Sequence, residues 1–482
     1  MSVVRTSFKL ELPGHLREIL CGPAAMHKAY VVGGSVRDAL LNLPGKDFDV
    51  EVFGQTYEVV SEVLGRFGRV DCVGRSFGVI KLTVAPGETY DFSLPRRDSK
   101  VGAGHRGFQA DFDPSLSLTE ASARRDFTLN SLMYDPRVGE ILDCHGGLRD
   151  LEARVLRHTS VAFSEDPLRV LRGMQFVGRF DLEAHPETLA LCRSIRGTYR
   201  ELAKDRVRDE WMKWAARSQR PSKGLRFLVE SGWIEHFPEI DRLRGTPQDP
   251  EWHPEGDVFV HTAHCCDAMA GLESWRQADE MSRIVWMLAI LAHDFGKPST
   301  TREEMKGGRL RIVSPEHEGA GVPVAAEFLA RVGMPNEVQE RVAPLVDNHL
   351  AHMQTSTDRA IRRLANRMRP ETIAGLCVVM SADIMGRPPR PAIVPDSIHT
   401  LLRRSEELQL HVSAPRPLLQ GRHLLELGMP AGKPMGVVTA AAFEAQLEGE
   451  FLDLAGALIW LSGQGTLPLP DEVRERLRHS TV

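Results

Sequence analysis

The sequence predicts an α+β protein of several domains, in which a strand-rich N-terminal part precedes a long helical remainder. Strand-like runs with period-two alternation occupy residues 29–94, whereas amphipathic helical spacing takes over from about residue 120. A chain of 482 residues exceeds one domain, and three or four domains of about 100–200 residues each are expected. Its 42% hydrophobic and 26% charged residues exclude a disordered chain.

The charge balance excludes a uniformly basic nucleic-acid coat. With 60 Lys and Arg against 65 Asp and Glu, the formal net charge is −5. The stretch 149–226 nevertheless carries an excess of Arg and Lys, which predicts a local basic face. Seven scattered cysteines without a Cys-x-x-Cys pair are typical of a reducing cytosol. The longest apolar run, 284–292, is shorter than the ~20 residues of a spanning helix, so we expect a cytoplasmic protein without membrane contact.

The predicted elements follow one another in a simple order. In the N-terminal part they are a strand at 29–34 that ends in two glycines, a helix at 35–43, and strands at 47–53, 77–84 and 89–94. A Gly- and charge-rich segment at 95–117 predicts a mobile loop. Three amphipathic helices are then predicted at 121–133, 166–180 and 204–217.

Composition shifts divide the chain into four predicted domains. A Pro- and acid-rich linker at 245–257 precedes a segment to about residue 390 that is predicted to be entirely helical. A second boundary is expected within 415–436. The predicted domains are therefore a head at 1–145, a helical neck and body at 146–245, an all-α domain at 246–412, and a C-terminal helical segment at 413–482.

Gly33 and Gly34 lie where the first predicted strand of 29–94 turns into a helix. Two glycines let the backbone approach a ligand closely, and free N–H groups at a helix start bind phosphate. Alone, this pattern also fits a plain tight turn.

Asp47 and Asp49 begin the next predicted strand, where alternate residues share a face and their carboxylates are expected side by side. Adjacent carboxylates repel unless a cation neutralises them, and their oxygens suit Mg²⁺. Asp91, on a nearby predicted strand, is a candidate third carboxylate. Solvated strand residues are the alternative interpretation. A phosphate-binding turn beside paired carboxylates is what nucleotidyl transfer requires.

Four motifs in order resemble one known family. Residues 31–53 (VVGGSVRDALLNLPGKDFDVEVF) resemble the head of class II tRNA nucleotidyltransferases and bacterial poly(A) polymerases, which belong to the DNA polymerase β superfamily. Residues 124–130 (RRDFTLN) are similar to the family's RRD motif, and 165–172 (EDPLRVLR) to its EDxxR motif. A neck motif follows at 205–207. The resemblance covers about half of the chain and implies a polymerase β-like head with a mixed sheet.

The resemblance implies roles for individual residues. Asp166 and Arg169 would form an amino-acid template for the incoming base, on one face of a helix for which Ser164 is the expected N-cap. A carboxylate accepts from the exocyclic amine of cytosine or adenine and faces a carbonyl in uracil, so the pair would reject UTP. The other implied nucleotide-binding residues are Gly33, Gly34, Arg37, Asp38, Arg125, Asp126, Asn130 and Arg172.

The segment 97–112 resembles the family's flexible loop, which favours complete CCA addition. The basic stretch 149–226 would then contact the acceptor backbone of tRNA.

The C-terminal half contains a second group of candidate ligands. His293 and Asp294 are adjacent at the expected end of an apolar helix, and histidine with carboxylate suits a transition metal. Together with VFVHTAH, PEHEGAG, VDNHL and SADIMGR, this LAHDFGKP segment resembles an HD-domain phosphohydrolase. The resemblance implies the metal ligands His261, His293, Asp294 and Asp383, with His317 and His349 as further metal or phosphate groups.

The combined prediction is an enzyme that adds CCA to the tRNA acceptor end from CTP and ATP, with Mg²⁺ in its head. Its HD domain would hydrolyse phosphate or 2′,3′-cyclic phosphate on RNA ends, with a divalent transition metal. The expected assembly is a monomer or homodimer. The alternatives are a poly(A) polymerase or A-adding enzyme, and an HD phosphohydrolase whose head only binds RNA.

Overall fold

The computed structural model describes residues 3–22, 26, 28–45, 47–74, 78–100, 108–355 and 357–480. The chain divides into two compact units, Met1–Pro238 and Glu239–Val482. The first unit contains the large sheet, and the second is mostly helical.

The first unit is built on a mixed eight-stranded sheet. The first ten strands along the chain are β1 (Val4–Ser7), β2 (Ala29–Val32), β3 (Asp49–Val52), β4 (Arg69–Gly74), β5 (Val79–Ala85), β6 (Glu88–Ser93), β7 (Arg96–Lys100), β8 (Phe108–Phe112), β9 (Met133–Asp135) and β10 (Glu140–Asp143). Eight of them lie in the order β1-β10-β9-β2-β3-β6-β5-β4, and β7 pairs with β8. The polymerase β-like α+β class predicted for this part is confirmed.

The strand β3 lies at the centre of the sheet. It pairs antiparallel with β2 and parallel with β6, in a register that sets Asp49 beside Val32 on one side and Asp91 on the other. Its residues Val50 and Val52 are fully buried in the head core. The expectation that strands fade after residue 120 is wrong, because β9 and β10 complete the sheet. Strands of three or four residues are too short for alternation to mark them.

Along the chain, the helices of the first unit come between the strands of the sheet and after its last strand. They are α1 (Gly14–Cys21), α2 (Gly34–Leu40), α3 (Tyr57–Leu64), α4 (Leu118–Ala123), α5 (Gly147–Glu152), α6 (Leu168–Phe180), α7 (Pro186–Ser194), α8 (Lys204–Arg217) and α9 (Pro221–Glu230), with short strands β11 (Val155–Leu156) and β12 (Glu183–Ala184). The helix predicted at 204–217 is confirmed as α8, and α6 covers most of the helix predicted at 166–180.

The single helix predicted at 121–133 is wrong. The chain leaves α4 at Ala123, forms a bridge between Phe127 and His158, and continues as a 3₁₀ turn at Thr128–Asn130. The fully buried Phe127 packs edge-on against Phe163 and Phe176, which holds this segment against α6.

The Gly- and charge-rich segment is only partly within the described residues. Its flanks are the paired strands β7 and β8, and residues 101–107 lie outside the described part of the chain. The expectation of a mobile loop therefore stays a prediction for those residues.

The second unit is helical apart from one hairpin. Its helices are α10 (Pro238–Asp241, at the boundary), α11 (Val258–Gly271), α12 (Glu273–Gln277), α13 (Glu280–Ala292), α14 (Lys297–Thr300), α15 (His317–Arg331), α16 (Asn336–Asp347), α17 (Asp358–Arg367), α18 (Ile373–Met385), α19 (Asp396–Glu407), α20 (Gly421–Glu426), α21 (Lys433–Glu448), α22 (Leu454–Ser462) and α23 (Asp471–Ser480). The expectation of an all-α segment at 258–390 is wrong at β13 (Arg302–Lys306) and β14 (Arg309–Val313), which form an antiparallel hairpin.

Helix α13 carries the apolar run predicted to be a buried helix. All of Ile284–Ala292 except Trp286 is buried, because α11, α16 and α18 pack around it. Residues of α20–α23 form a separate apolar core around Leu424 and Leu461. Among the described residues, no helix combines the length and apolar character needed to cross a bilayer.

Candidate functional site

Acidic residues gather at the start of β3. Asp47 and Asp49 are both exposed while Phe48 between them is buried, as the predicted alternation requires. The protein surrounding the Asp49 carboxylate raises its pKa by partly removing it from water, and the nearby charges of Asp91 and Asp47 add to this effect. The buried Oδ1 atom of Asp91 accepts no hydrogen bond from any described residue. These carboxylates fit Mg²⁺, although within the described part of the chain they do not form a group of three ligand atoms within 4.8 Å.

The glycine turn and an arginine pair border these carboxylates. Gly33 has φ 74° and ψ −132°, and a Cβ atom there would lie 3.2 Å from Arg125 Nη1 and 4.0 Å from Asp49 Oδ2. The fully buried Glu51 accepts hydrogen bonds from Arg124 at 2.9 Å and Arg125 at 3.2 Å. Burial would raise the pKa of Glu51, but the two guanidinium groups outweigh it and hold the pKa low. Glycine at this turn therefore leaves room for the Arg125 guanidinium, which places positive charge beside Asp49.

A buried network joins four of the implied nucleotide-binding residues. Asp126 accepts from Arg172 Nε at 2.8 Å and from Asn130 Nδ2 at 2.9 Å, and Arg37 Nη1 donates to Asn130 Oδ1 at 2.6 Å. The pKa of Asp126 is lowered, because Arg172 and these hydrogen bonds outweigh its burial. Arg37 also donates to Asp38 at 2.8 Å. This network fixes the orientation of its arginines before any ligand binds.

The two residues of the implied base template lie close together but do not pair with each other. Asp166 accepts from Arg206 Nη2 at 2.9 Å, whereas Arg169 donates to the carbonyl oxygens of Ala162 and Arg124, both at 2.6 Å. The predicted N-cap at Ser164 is wrong: α6 begins at Leu168, whose N–H donates to Asp166 Oδ1 at 3.1 Å. The acidic side chain itself caps this helix, because a proline follows it and prevents an earlier start.

Each of four buried histidines in the second unit has its ring orientation fixed in the same way. The Nδ1 atoms of His293, His317 and His349 lie 2.7 Å from the carbonyl oxygens of the residues three positions earlier, Ile290, Ser314 and Val346. His261 Nδ1 lies 2.7 Å from the carboxylate of Glu255. Since these oxygens can only accept, each Nδ1 carries a proton, and Nε2 is the ring atom left to face the other candidate ligands.

The Nε2 atoms of these histidines converge. Those of His261 and His293 are 3.4 Å apart, and those of His317 and His349 are 3.2 Å apart. Two nitrogen ligands at 2.0–2.1 Å from one tetrahedral metal would be about 3.3 Å apart, which matches both distances. Burial, with the nearby charges of His293 and His317, lowers the pKa of His349 to about 3, so its imidazole is neutral and ready to bind a metal.

Asp294 lies between the two histidine pairs. Its Oδ2 is 3.2 Å from His293 Nε2 and its Oδ1 is 3.3 Å from His317 Nε2. Two groups of ligand atoms, each within 4.8 Å, result: His261, Cys265, His293 and Asp383 in one, and Asp294, His317 and His349 in the other. The six residues predicted as HD ligands are therefore close together, and the donor set fits one or two transition-metal ions.

A cavity of about 330 Å³ opens over these ligands. Asp294, His317, His349 and Asp383 line it together with two cations, Lys297 and Arg387. Lys297 Nζ lies 2.7 Å from Asp294, and Arg387 donates to Asp383 at 2.7 Å. The cavity thus combines metal ligands with groups that attract a phosphate.

Three supporting residues were missed in the sequence. Glu51 binds both arginines of the RRD motif, Arg206 binds the template Asp166, and Glu255 binds His261. Glu51 lies within the motif at 31–53 and Arg206 within the neck motif, but nothing in the sequence indicates their partners. Glu255 lies within the segment interpreted as a linker.

Comparison with known proteins gives the family. Residues 29–157 match the model of the poly A polymerase head domain, and residues 260–384 match that of the HD domain. The multifunctional CCA protein of Stenotrophomonas maltophilia (strain R551-3) is 37% identical over 372 residues, which cover 75% of this chain and 86% of the relative. The chain belongs to the multifunctional CCA protein family. A second member, from Xanthomonas campestris pv. campestris (strain B100), is 37% identical over 75% of this chain and 85% of its own length.

Solved structures share the fold of this family member. The CCA-adding enzyme of Bacillus stearothermophilus in complex with CTP aligns with a TM-score of 0.59 at 20% identity, over 88% of this chain and 89% of the other. The Thermotoga maritima CCA-adding enzyme complexed with tRNA aligns with a TM-score of 0.53 at 19% identity, over 94% and 91%. At these identities the likeness concerns the fold. It agrees with the α+β class predicted from the sequence.

Proposed function

We propose that this protein adds the CCA sequence to tRNA 3′ ends from CTP and ATP, without a nucleic-acid template. The observation that carries the proposal is the strand register that sets Asp49 beside Asp91, next to the Gly33 turn and the Arg125 guanidinium. Membership of a family whose relatives are multifunctional CCA proteins supports the choice of tRNA as substrate. Residues 1–145 would form the catalytic head and 146–245 the neck and body, followed by an HD domain at 246–412 and a helical segment at 413–482.

In this proposal Asp47, Asp49 and Asp91 hold a pair of Mg²⁺ ions. These cations supply the positive charge that nucleotidyl transfer needs at the α-phosphate, the attacking 3′ hydroxyl and the leaving pyrophosphate. The glycine turn admits the triphosphate because Gly33 and Gly34 lack side chains. Arg125 contributes fixed charge beside that turn.

The buried network supplies the rest of the nucleotide site. Arg37, Asp38, Asp126, Asn130 and Arg172 would bind the ribose and triphosphate. The network orders these side chains in advance, so less conformational entropy is lost when a nucleotide binds.

Base choice is assigned to Asp166 and Arg169. The ionised Asp166 is an acceptor that matches the amine of cytosine or adenine and opposes the carbonyl of uracil. Arg169 donates to two carbonyl oxygens and would also present its guanidinium to a ring acceptor of the base. The basic stretch 149–226 would contact tRNA phosphates without reading their sequence.

The HD centre is proposed to hydrolyse phosphate monoesters or 2′,3′-cyclic phosphates at RNA ends. His261, His293, Asp294 and Asp383 would hold one divalent transition metal, and His317 with His349 a second that shares Asp294. Such metals lower the pKa of a bound water and so supply a nucleophile at neutral pH. Lys297 and Arg387 face the same cavity and favour a negatively charged phosphate there.

The deciding experiment uses two tRNA transcripts, one lacking CCA and one lacking the terminal A. Each is incubated with the protein, Mg²⁺ and CTP, ATP or both, and the products are sized on a sequencing gel. Growth by three nucleotides that then stops is expected for the first transcript. Extension by A alone would instead support an A-adding enzyme, and an unlimited tail a poly(A) polymerase. No extension would support an HD phosphohydrolase with an RNA-binding head.

A further inference from the structure

The mouth of the cavity in the second unit differs in character from its interior. The metal-ligand residues that line it are buried, with Asp294 1% and Asp383 2% exposed. Two other lining residues are among the exposed large apolar side chains: Trp252 is 54% and Met353 63% exposed. The ligands therefore occupy the closed end of the cavity and an aromatic ring its open end.

Trp252 is held in position although it is exposed. The backbone N–H of Trp252 donates to the carbonyl oxygen of Asp249 at 3.0 Å, which closes a tight turn. The guanidinium of Arg390 lies 5.5 Å from the indole centroid, and the same side chain donates to the carbonyl of Glu251. A large aromatic ring that is about half exposed at the mouth of a cavity is typical of ligand contact.

A second residue of the cavity lining has a polar atom without a partner among the described residues. The Nδ1 atom of His352 is buried and makes no hydrogen bond to any described residue, and His352 lines the same cavity. Burying such an atom is unfavourable unless a ligand or water completes its hydrogen bonding.

We propose that Trp252 is the stacking platform of a nucleobase subsite at the mouth of the HD cavity, with His352 hydrogen-bonding the same nucleoside. The inference rests on the proposed phosphate hydrolysis at this centre and narrows its substrate. A phosphate alone would be bound at the closed end of the cavity, where Lys297 and Arg387 lie, and would gain nothing from an aromatic ring at the open end. A terminal nucleotide uses both ends of the cavity, because its base offers a flat face to the indole.

The test compares two substrates of the metal-loaded, full-length protein. One is 2′,3′-cyclic AMP, and the other is glycerol 1,2-cyclic phosphate, which has the cyclic phosphodiester but no base. Stacking on an aromatic side chain contributes about 1–3 kcal/mol per base, so Trp252→Ala should raise KM for 2′,3′-cyclic AMP about tenfold. The same variant should leave kcat/KM for the glycerol compound unchanged. Trp252→Phe, which keeps a ring, should retain most of the affinity.

The matched control is Ile393→Ala, since Ile393 is 69% exposed and does not line the cavity. It should leave both substrates unaffected. Equal losses on both substrates, or none on either with Trp252→Ala, would overturn the subsite. If the wild type hydrolyses neither substrate, the proposed hydrolysis fails. The subsite is then tested separately by equilibrium dialysis of 3′-AMP with the wild type and with Trp252→Ala. Equal binding overturns the subsite, and weaker binding by the variant supports it.

Discussion

Glu51 shows how a single buried carboxylate organises the head. It is fully buried, and both of its oxygens are taken by arginines of the RRD motif. Removing one partner of a buried ion pair costs about 3–5 kcal/mol, because the remaining charge stays desolvated. The arginines beside the glycine turn therefore depend on this residue for their position.

We predict that Glu51→Gln lowers the free energy of unfolding by about 3 kcal/mol and weakens binding of the triphosphate. The amide keeps the volume of the side chain but leaves two guanidinium groups without a counter-charge. Urea denaturation and KM for CTP measure the two effects. Unchanged values for both would contradict the role given to Glu51. Glu62→Gln, at a solvent-exposed helix position, is the control.

A second residue prediction concerns Arg206. Arg206 binds Asp166 through two nitrogens, so its loss should free the Asp166 carboxylate to rotate. We therefore expect Arg206→Ala to relax base choice, with UTP incorporation rising about tenfold relative to CTP. Single-turnover incorporation of CTP, ATP and UTP measures this. Arg206→Lys should restore part of the selectivity. The control is Arg208→Ala, since Arg208 pairs with Asp209 on the same helix. Wild-type selectivity in Arg206→Ala would show that Asp166 is oriented without it.

The turn between β2 and α2 depends on a backbone conformation that favours glycine. At φ 74° a side chain at Gly33 is strained, and its Cβ would press on Arg125. Gly33→Ala is therefore expected to cost about 1–2 kcal/mol of stability and to reduce nucleotide addition more than tenfold. Thermal unfolding and primer extension measure the two. Gly197→Ala, where the added Cβ meets nothing within 4 Å, should leave both unchanged. Full activity in Gly33→Ala would exclude a close approach of the triphosphate.

Long, strongly patterned elements were predictable from the sequence, and short or irregular ones were not. The helix α8 has the predicted bounds because it repeats an apolar face over several turns. The strand β9 and the hairpin β13–β14 show no alternation of apolar and polar residues that marks them in the sequence. They are stabilised by pairing with a neighbouring strand. The candidate residues of both proposed centres came from residue type, spacing and the resemblance to known families. The residues that hold these side chains in position were not identifiable, because Glu51 and Glu255 contact their partners only in the folded chain.

The two chemistries of the molecule should be separable. Asp49→Asn is expected to abolish nucleotide addition and leave phosphate hydrolysis intact, whereas Asp294→Asn should do the reverse, because each removes a charge from one centre. Both reactions are measured on the same preparations, with circular dichroism to verify folding. Loss of both activities in either folded variant would contradict two independent centres. When all metal is removed with a chelator and Mg²⁺ alone is added back, nucleotide addition should recover more fully than phosphate hydrolysis, since the proposed HD ligands include imidazoles.

Acid should destabilise the first unit. The pKa values of Glu51 and Asp126 are held below their ordinary range in the folded state by neighbouring arginines. Their stabilising effect is complete above the pKa of about 4 in the unfolded chain and is lost as the pH falls through the folded values. The urea midpoint is therefore expected to fall steadily below pH about 4, and less steeply in Glu51→Gln. A midpoint independent of pH in this range would contradict the assignment.

Arg124 has a consequence for how nucleotides of different size are accommodated. Its guanidinium is fixed on Glu51, two residues beyond Asp49 on β3, and its carbonyl oxygen accepts from Arg169 at 2.6 Å. One residue thus links strand β3 to the arginine proposed to meet the base. In the proposed nucleotide site, these two noncovalent contacts would hold the phosphate end and the base end at a fixed separation. Cytidine and adenosine triphosphates bound there would then place their phosphates at one point.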